Sequence, residues 1–199
     1  SFQQGLSSYN ILKVLQDTHG FIWIATQDGL FRYNGKNFDV LKKGNSIHSI
    51  SENYILDMCL GAGDSIIVST FPSGINIIST NTLISRALFA DRRNLELSSD
   101  KGATWMHKIH FTVNGEIWMG NDKTLVIYDQ HSGKKSTIMN IPGVTGPLDI
   151  SFIAPVNEQT LAIGIKKFGI ALIDIQSKKT GATIPSRDIT ETETEEDIV

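Results

Sequence analysis

"GFIWIATQDGL", residues 20–30, has an echo at residues 115–125, "GEIWMGNDKTL". Each stretch opens on a glycine, runs through Ile-Trp and a small residue, and turns into a leucine. Aligning the chain on Trp23, Ile67, Trp118 and Ala162 brings four segments into register without a gap. They are "ILKVLQDTHGFIWIAT", "ILDMCLGAGDSIIVST", "MHKIHFTVNGEIWMGN" and "ISFIAPVNEQTLAIGI", spaced by 44, 51 and 44 residues. Self-similarity at that period marks a repeat architecture.

Each unit reads as strands. In the second strand, one face carries Ile22 and Ile24, Ile66 and Val68, Ile117 and Met119, or Leu161 and Ile163. The other face carries the Trp23 column, followed by Ala25, Ser69, Gly120 or Gly164. Period-two alternation of β-branched and aromatic residues means strand. Apolar character on both faces means a sheet sandwiched between neighbours. The small residue leaves room for an adjacent layer, so Trp23 and Trp118 are read as packing residues and not as platforms for a ligand.

The turn before this strand is "DTHG", "GAGD", "TVNG" or "VNEQ", and Asn114-Gly115 is a hairpin signal because both residues accept positive φ. A third strand follows as "LFRY", "INII", "LVIY" or "IALI", ending at Asn34, Ser79, Asp129 or Asp174. A fourth, more polar strand closes each unit: "FDVL", "LISRALF", "STIM" or "ATIP". Four antiparallel strands about every 45 residues describe one propeller blade. The expected fold is all-β, a β-propeller of about four blades over residues 8–44, 52–90, 103–140 and 147–185, with 186–199 a linker and the start of a fifth blade.

Composition agrees with a globular domain: 199 residues, 40% hydrophobic and 20% charged. A net charge of −3 supplies no general basic field, so no nucleic-acid partner is expected. Cys59 is the single cysteine, which excludes an internal disulfide. The first residues, "SFQQGLSSYN", show no basic segment followed by an apolar one, so they are not read as a leader.

The first unit, "GLSSYNILKVLQDTHGFIWIATQDGLFRYNGKNF", resembles the first repeat of the two-component regulator propellers. The residues that carry the resemblance are Gly5, Leu6 and Ser7, Asp17, Gly20, Ile22, Trp23 and Thr26, Gly29 and Leu30, Tyr33, Asn34, Gly35 and Phe38. "SISENYI" at 49–55 fits the link into a second blade. The match is close over residues 5–41 and loose beyond; units two and four lack the tryptophan, and unit three has Asn121 and Thr124 at the threonine and glycine positions. The resemblance implies the extracytoplasmic sensor of a membrane-bound hybrid histidine kinase, on the periplasmic or extracellular side of the inner membrane. It implies recognition of a glycan or oligosaccharide and signalling to transcription. It also implies a ring of about seven blades, of which these residues are a part. No cofactor and no enzymatic activity are expected of this stretch.

In such a ring the turns between second and third strands share one face with the links between blades. That face carries Gln27–Asp28, Phe71–Ser73, Asp122–Lys123 and Lys166–Lys167, with the links 42–52, 90–104 and 140–147. The 90–104 link accounts for the longer spacing and contains Arg92 and Arg93, with Trp105 just after it. Arginine beside an aromatic suits a sugar, especially an acidic one, through bidentate hydrogen bonds and stacking. These three are the candidate ligand-binding residues; a solvated loop with a packing tryptophan is the competing reading.

Other constellations are weaker. His107 and His110 stand three apart on a strand and point to opposite faces, which argues against a shared metal. His110 and Cys59 share one column of the repeat, a core position, and Cys59 reads as an inert thiol. "ETETEED" at 191–197 reads as solvated linker. Two alternatives remain open: a propeller enzyme of lactonase or hydrolase type, for which Asp57 with His107 or His110 would be the only material, and a protein-interaction scaffold. Four blades also leave two apolar end faces, so self-association is expected unless the four close into a ring of their own.

Overall fold

A computed structural model of the chain describes residues 10–72, 74–89 and 108–186. Among these, four sheets of four antiparallel strands follow one another, each an up-and-down meander. The first blade holds β1 (Ile11–Gln16), β2 (Ile22–Thr26), β3 (Gly29–Tyr33) and β4 (Phe38–Leu41). The second holds β5 (Tyr54–Leu60), β6 (Ser65–Phe71), β7 (Ile75–Ser79) and β8 (Ser85–Phe89). The third holds β9 (Lys108–Phe111), β10 (Glu116–Gly120), β11 (Leu125–Asp129) and β12 (Lys135–Ile138). The fourth holds β13 (Ile150–Asn157), β14 (Thr160–Ile165), β15 (Gly169–Asp174) and β16 (Thr180–Pro185). No helix occurs among the described residues. The first strands β1, β5, β9 and β13 are neighbours across successive blades and form the inner edge. The fold is an arc of four propeller blades.

The β1–β2 turn shows why this sequence makes a hairpin here. Asp17 O accepts the Gly20 amide at 3.1 Å and Asp17 N–H donates to Phe21 O at 3.0 Å, so three residues span the turn. Gly20 takes φ +86°, in the left-handed region that favours glycine. The buried Asp17 carboxylate completes the turn. Its Oδ1 accepts the amides of His19 and Phe21 at 2.9 and 3.0 Å, and its Oδ2 accepts the Trp23 indole N–H at 2.7 Å. One side chain thus caps the turn and satisfies the only polar atom of a fully buried tryptophan.

The third blade repeats the device with different atoms. Thr112 stands where Asp17 stands, and its hydroxyl accepts the Glu116 amide at 3.2 Å. The Trp118 indole donates instead to Glu116 Oε2 at 3.0 Å. Gly115 again takes φ +86°, whereas Asn114 does not take a positive φ. The Asn-Gly pair marks a hairpin, as its sequence suggests, built on the same three-residue turn as at Gly20. Where the tryptophan gives way to Ile67 or Ala162, the Asp17 position holds Gly61 or Val156. With no buried N–H to satisfy, the acid is absent too.

Blades stack by one rule. The Trp23 face of the first blade, with Ala25 and Leu30, packs on Ile55, Met58, Ile66 and Val68 of the second. Ile67 and Ile75 of the second pack on Ile109, Ile117 and Met119 of the third. Trp118, Leu125 and Ile127 of the third pack on Ile150, Leu161 and Ile163 of the fourth. The small residue sets the separation: a Cβ added to Gly120 would lie 2.7 Å from Ile150 Cγ2. Cations close two of the outer rims. The Arg32 guanidinium lies 4.5 Å from the Phe21 ring centre, pairs with Asp39 at 2.7 Å and donates to the Thr80 carbonyl of the next blade. Lys178 of the fourth blade reaches back to Glu116 Oε1 at 2.6 Å and lies 5.1 Å from the Trp118 ring centre.

Both faces are covered in the two central blades, and the outer faces of the first and fourth blades are the two end faces that four blades leave. Ile22 and Ile24 are half-buried, as are Ala162 and Leu172, because no hydrophobic cluster among the described residues joins the fourth blade to the first.

Asp17→Ala removes three hydrogen bonds to a buried carboxylate and is expected to lower stability by about 3 kcal/mol, read as a shift in the urea midpoint. In a Trp23→Phe background the same substitution should cost less, because the indole no longer needs an acceptor.

Candidate functional site

The inner edge is where the packing rule relaxes. β1 shifts register between Ile11 and Lys13, β5 between Ile55 and Asp57, and β13 between Ile150 and Phe152. The bulged residues Leu12, Leu56 and Ser151 occupy one column of the repeat. A bulge re-aims its side chain and bends the strand. Leu56 and Ser151 accordingly line a cavity of about 310 Å³ at the start of the inner strands, together with Ile150, Lys108, Asp149 and Lys166.

Backbone geometry fixes this mouth. The Asp149 and Ile150 amides donate to the carbonyls of Asp122 and Asn121 at 3.1 and 3.0 Å, and the Lys166 amide donates to Asp149 O at 3.1 Å. Asp149 takes φ +27°, a strained conformation for a residue with a Cβ. Its carboxylate pairs with Lys166 Nζ at 3.0 Å. The second-to-third-strand turns of blades three and four and the link into blade four therefore meet at one rim, where Lys108, Lys166 and Asp149 are the charged residues that line the cavity. On blade one the same face is tied by Lys42 to Asp28 at 2.7 Å and by Gln27 to the Tyr54 hydroxyl at 3.3 Å. A second hollow, about 370 Å³, lies between the 42–52 link and β7–β8 and is lined by Lys43, Ser46, Ser49, Ser51, Asn76 and Ser85 among others.

Asp57, next to Leu56 on β5, is buried. Its Oδ1 pairs with Lys13 Nζ of the first blade at 2.7 Å and accepts the Met58 amide at 2.9 Å. Its Oδ2 accepts the Ile109 amide of the third blade at 2.9 Å. One carboxylate clasps three consecutive blades, so the acid that a catalytic reading would need is committed to structure. His110 is half-buried, and burial, followed by the Lys13 charge, holds its pKa below the ordinary histidine value. It stays neutral at pH 7. Burial, helped by the Asp57 charge, pushes the Cys59 thiol up to about 12. No cluster of three metal-ligating side chains occurs among the described residues.

Arg92, Arg93 and Trp105, with His107 and the linker 186–199 beyond Ser186, lie outside the described residues. The structure does bring together Lys166, Asp122 and the link into blade four on one face, as the repeat anticipates. Sequence reasoning missed Lys108, Asp149 and Ser151, and missed the clasp role of Asp57. The signal was present: within the column of Lys13, Asp57, Lys108 and Phe152, three of four residues are charged on a strand otherwise apolar.

Residues 5–28 match the family model for the two component regulator propeller. The match covers the first two strands of the first blade. Within that stretch, Asp17, Gly20 and Thr26 shape the turns of the first blade and Trp23 its packed face. Thr26 shows the same economy as Asp17: its hydroxyl donates to Gly29 O at 2.9 Å and accepts the Asp28 amide at 3.0 Å. Among solved structures, the arc is similar to the extracellular domain of BT3049, described as a hybrid two component system of B. thetaiotaomicron, with TM-score 0.71 and 20% identity over 92% of this chain and 26% of that one. It is also similar to the extracellular domain of BT4673 of the same organism, at TM-score 0.65 and 18% identity over 92% of this chain and 23% of that one. PorZ, a surface component of the type-IX secretion system of Porphyromonas gingivalis, aligns at TM-score 0.65 and 12% identity over 92% of this chain and 29% of that one. The propeller arc thus spans about a quarter of the length of these domains. No curated protein matches the chain.

With a pKa of about 12, roughly one Cys59 in ten thousand is thiolate at pH 8. Native protein is expected to resist iodoacetamide at that pH and to react fully in guanidinium, as read by mass spectrometry. Asp57→Ala leaves the buried Ile109 amide without its acceptor and is expected to cost about 2 kcal/mol in urea unfolding.

Proposed function

We propose that the arc is part of the extracytoplasmic ligand-sensing propeller of a hybrid two-component histidine kinase, held on the periplasmic or extracellular face by a membrane-anchored receptor. Its ligand is a glycan or oligosaccharide, and its output is transcription. The arc itself is a binding module and catalyses nothing.

The observation that carries this reading is the family repeat at residues 5–28, joined to a mouth built for contact and not for chemistry. The cavity beside Lys108, Ser151 and Lys166 offers donors and cations at the rim of a rigid scaffold. Sites of this kind gather on loops held by a packed framework. The one buried acid nearby, Asp57, is engaged by Lys13 and two amides, which favours a sensor over a hydrolase. Arg92, Arg93 and Trp105 follow the second blade and supply the bidentate and stacking groups that a sugar, especially an acidic one, requires.

A glycan array identifies the ligand, and calorimetry with the best-bound oligosaccharide then tests the site. Lys108→Ala/Lys166→Ala and Arg92→Ala/Arg93→Ala are each expected to weaken binding about tenfold, a loss of one good polar contact, without moving the melting temperature. Unchanged affinity in either pair removes those residues from the site. Stoichiometric metal with lactonase or hydrolase activity in the pure protein overturns the sensor reading.

A further inference from the structure

The chain holds two Asn-Gly pairs, Asn34-Gly35 and Asn114-Gly115, each in a turn whose glycine takes a positive φ, +91° and +86°. In such a pair the glycine nitrogen can attack the side-chain carbonyl carbon of the asparagine, because glycine puts no side chain in the way. The two turns treat that nitrogen differently. The Gly115 N–H donates to Thr112 O at 3.0 Å, which keeps its proton engaged in the hairpin. Among the described residues the Gly35 N–H has no acceptor. The two carboxamides differ as well. Asn34 Oδ1 accepts the amides of Lys36 and Asn37 at 2.9 and 2.8 Å. Those two N–H groups polarise Cγ and face the oxygen on which negative charge develops when a nucleophile adds, as the donors of an oxyanion hole do. Asn114 Oδ1 takes a single hydroxyl, that of Thr112.

The repeat shows that an acid fits the same place. The Asn34 column continues as Ser79, Asp129 and Asp174. Asp129 Oδ1 accepts the His131 amide at 2.9 Å, and Asp174 Oδ1 accepts the Ser177 amide at 2.6 Å. Two blades thus already cap this turn with a carboxylate. The following residue is glycine in the first blade alone; elsewhere it is Thr80, Gln130 or Ile175. Asn34, Gly35, Lys36 and Asn37 are exposed, and so are His131, Ser132 and Gly133 of the third blade, which is covered on both faces. Exposure here belongs to the turn and not to what lies beside the first blade.

We propose that Asn34 is a self-modification site, where the folded turn drives deamidation to aspartate without an enzyme. The Gly35 nitrogen gives its proton to water or hydroxide and bonds to Asn34 Cγ. The Cγ–Nδ2 bond breaks, Nδ2 takes up a proton and leaves as ammonia, and a five-membered imide remains. Water then adds to either imide carbonyl and breaks its bond to nitrogen, leaving aspartate or its iso-aspartyl isomer. One water is consumed and one ammonia released, with no oxidant and no cofactor. Aspartate at this position keeps the Lys36 and Asn37 amides on a carboxylate, a charge-assisted form of the same bonds. The isomer adds a carbon to the main chain and loses that register.

Peptide mapping by mass spectrometry, on the intact chain held folded at pH 8, tests this. Asn34 is expected to convert about tenfold faster than Asn114, and faster still as pH rises, because the attacking nitrogen must first lose its proton. In guanidinium the two pairs are expected to react at similar rates. An Asn34→Asp variant is expected to melt with the parent chain. Equal rates at the two pairs in the folded protein, or an Asn34 that persists, overturn the proposal. So does a preference for Asn34 that survives in guanidinium, which would place the cause in neighbouring residues and not in the turn. An Asn34→Asp variant that melts well below the parent also overturns it, since the product would then not fit.

Discussion

The approach of Ile150 to Gly120 shows what the rest of the arc depends on. Each blade is a sheet apolar on both faces, and two such sheets come together only where a side chain is missing on one and a branched chain stands on the other. Ala25 and Gly120 hold this place in the first and third units, and Ile55 and Ile150 of the following inner strands fill it. The spacing of blades, the line of the inner edge and the exposure of the two ends all follow from that contact. A Cβ at Gly120 would force Ile150 and its strand outward.

The tryptophans add a second constraint, because an indole buried between sheets brings an N–H that must be satisfied. The first blade meets it with Asp17, which caps the hairpin turn at the same time. The third meets it with Glu116, held in turn by Lys178 from the fourth blade. Blades two and four drop both the indole and the acid. Donor and acceptor enter and leave the repeat together, a physical coupling visible within one chain.

The proposed site lies in the part of the arc that this packing does not consume. The bulges at Leu56 and Ser151 interrupt the ladder at the mouth of the inner edge and open a hollow bounded by Lys108, Asp149 and Lys166. Asp57, just inside, takes the opposite role and ties three blades through one carboxylate. Rigid clasp below and charged rim above is an arrangement suited to holding a polar ligand without reorganising the scaffold.

Sequence by itself determined the strands, their faces and their order into blades, because period-two alternation, turn residues and the repeated Trp column are local signals written into consecutive residues. It also determined that Trp23 and Trp118 pack and that Cys59 is inert. It marked the Asn114-Gly115 hairpin but not its length, which the Thr112 hydroxyl and the strand register set at three residues. Only the tertiary structure decided that Asp57 joins Lys13 to Ile109, residues 44 and 52 positions away, and that Asp149 faces Lys166 across the mouth. Only it decided that, among the described residues, no hydrophobic cluster joins the fourth blade to the first. Those relations depend on how sheets distant in sequence stack around an axis, and stacking is set by the shapes of two faces at once, which no single stretch of sequence contains.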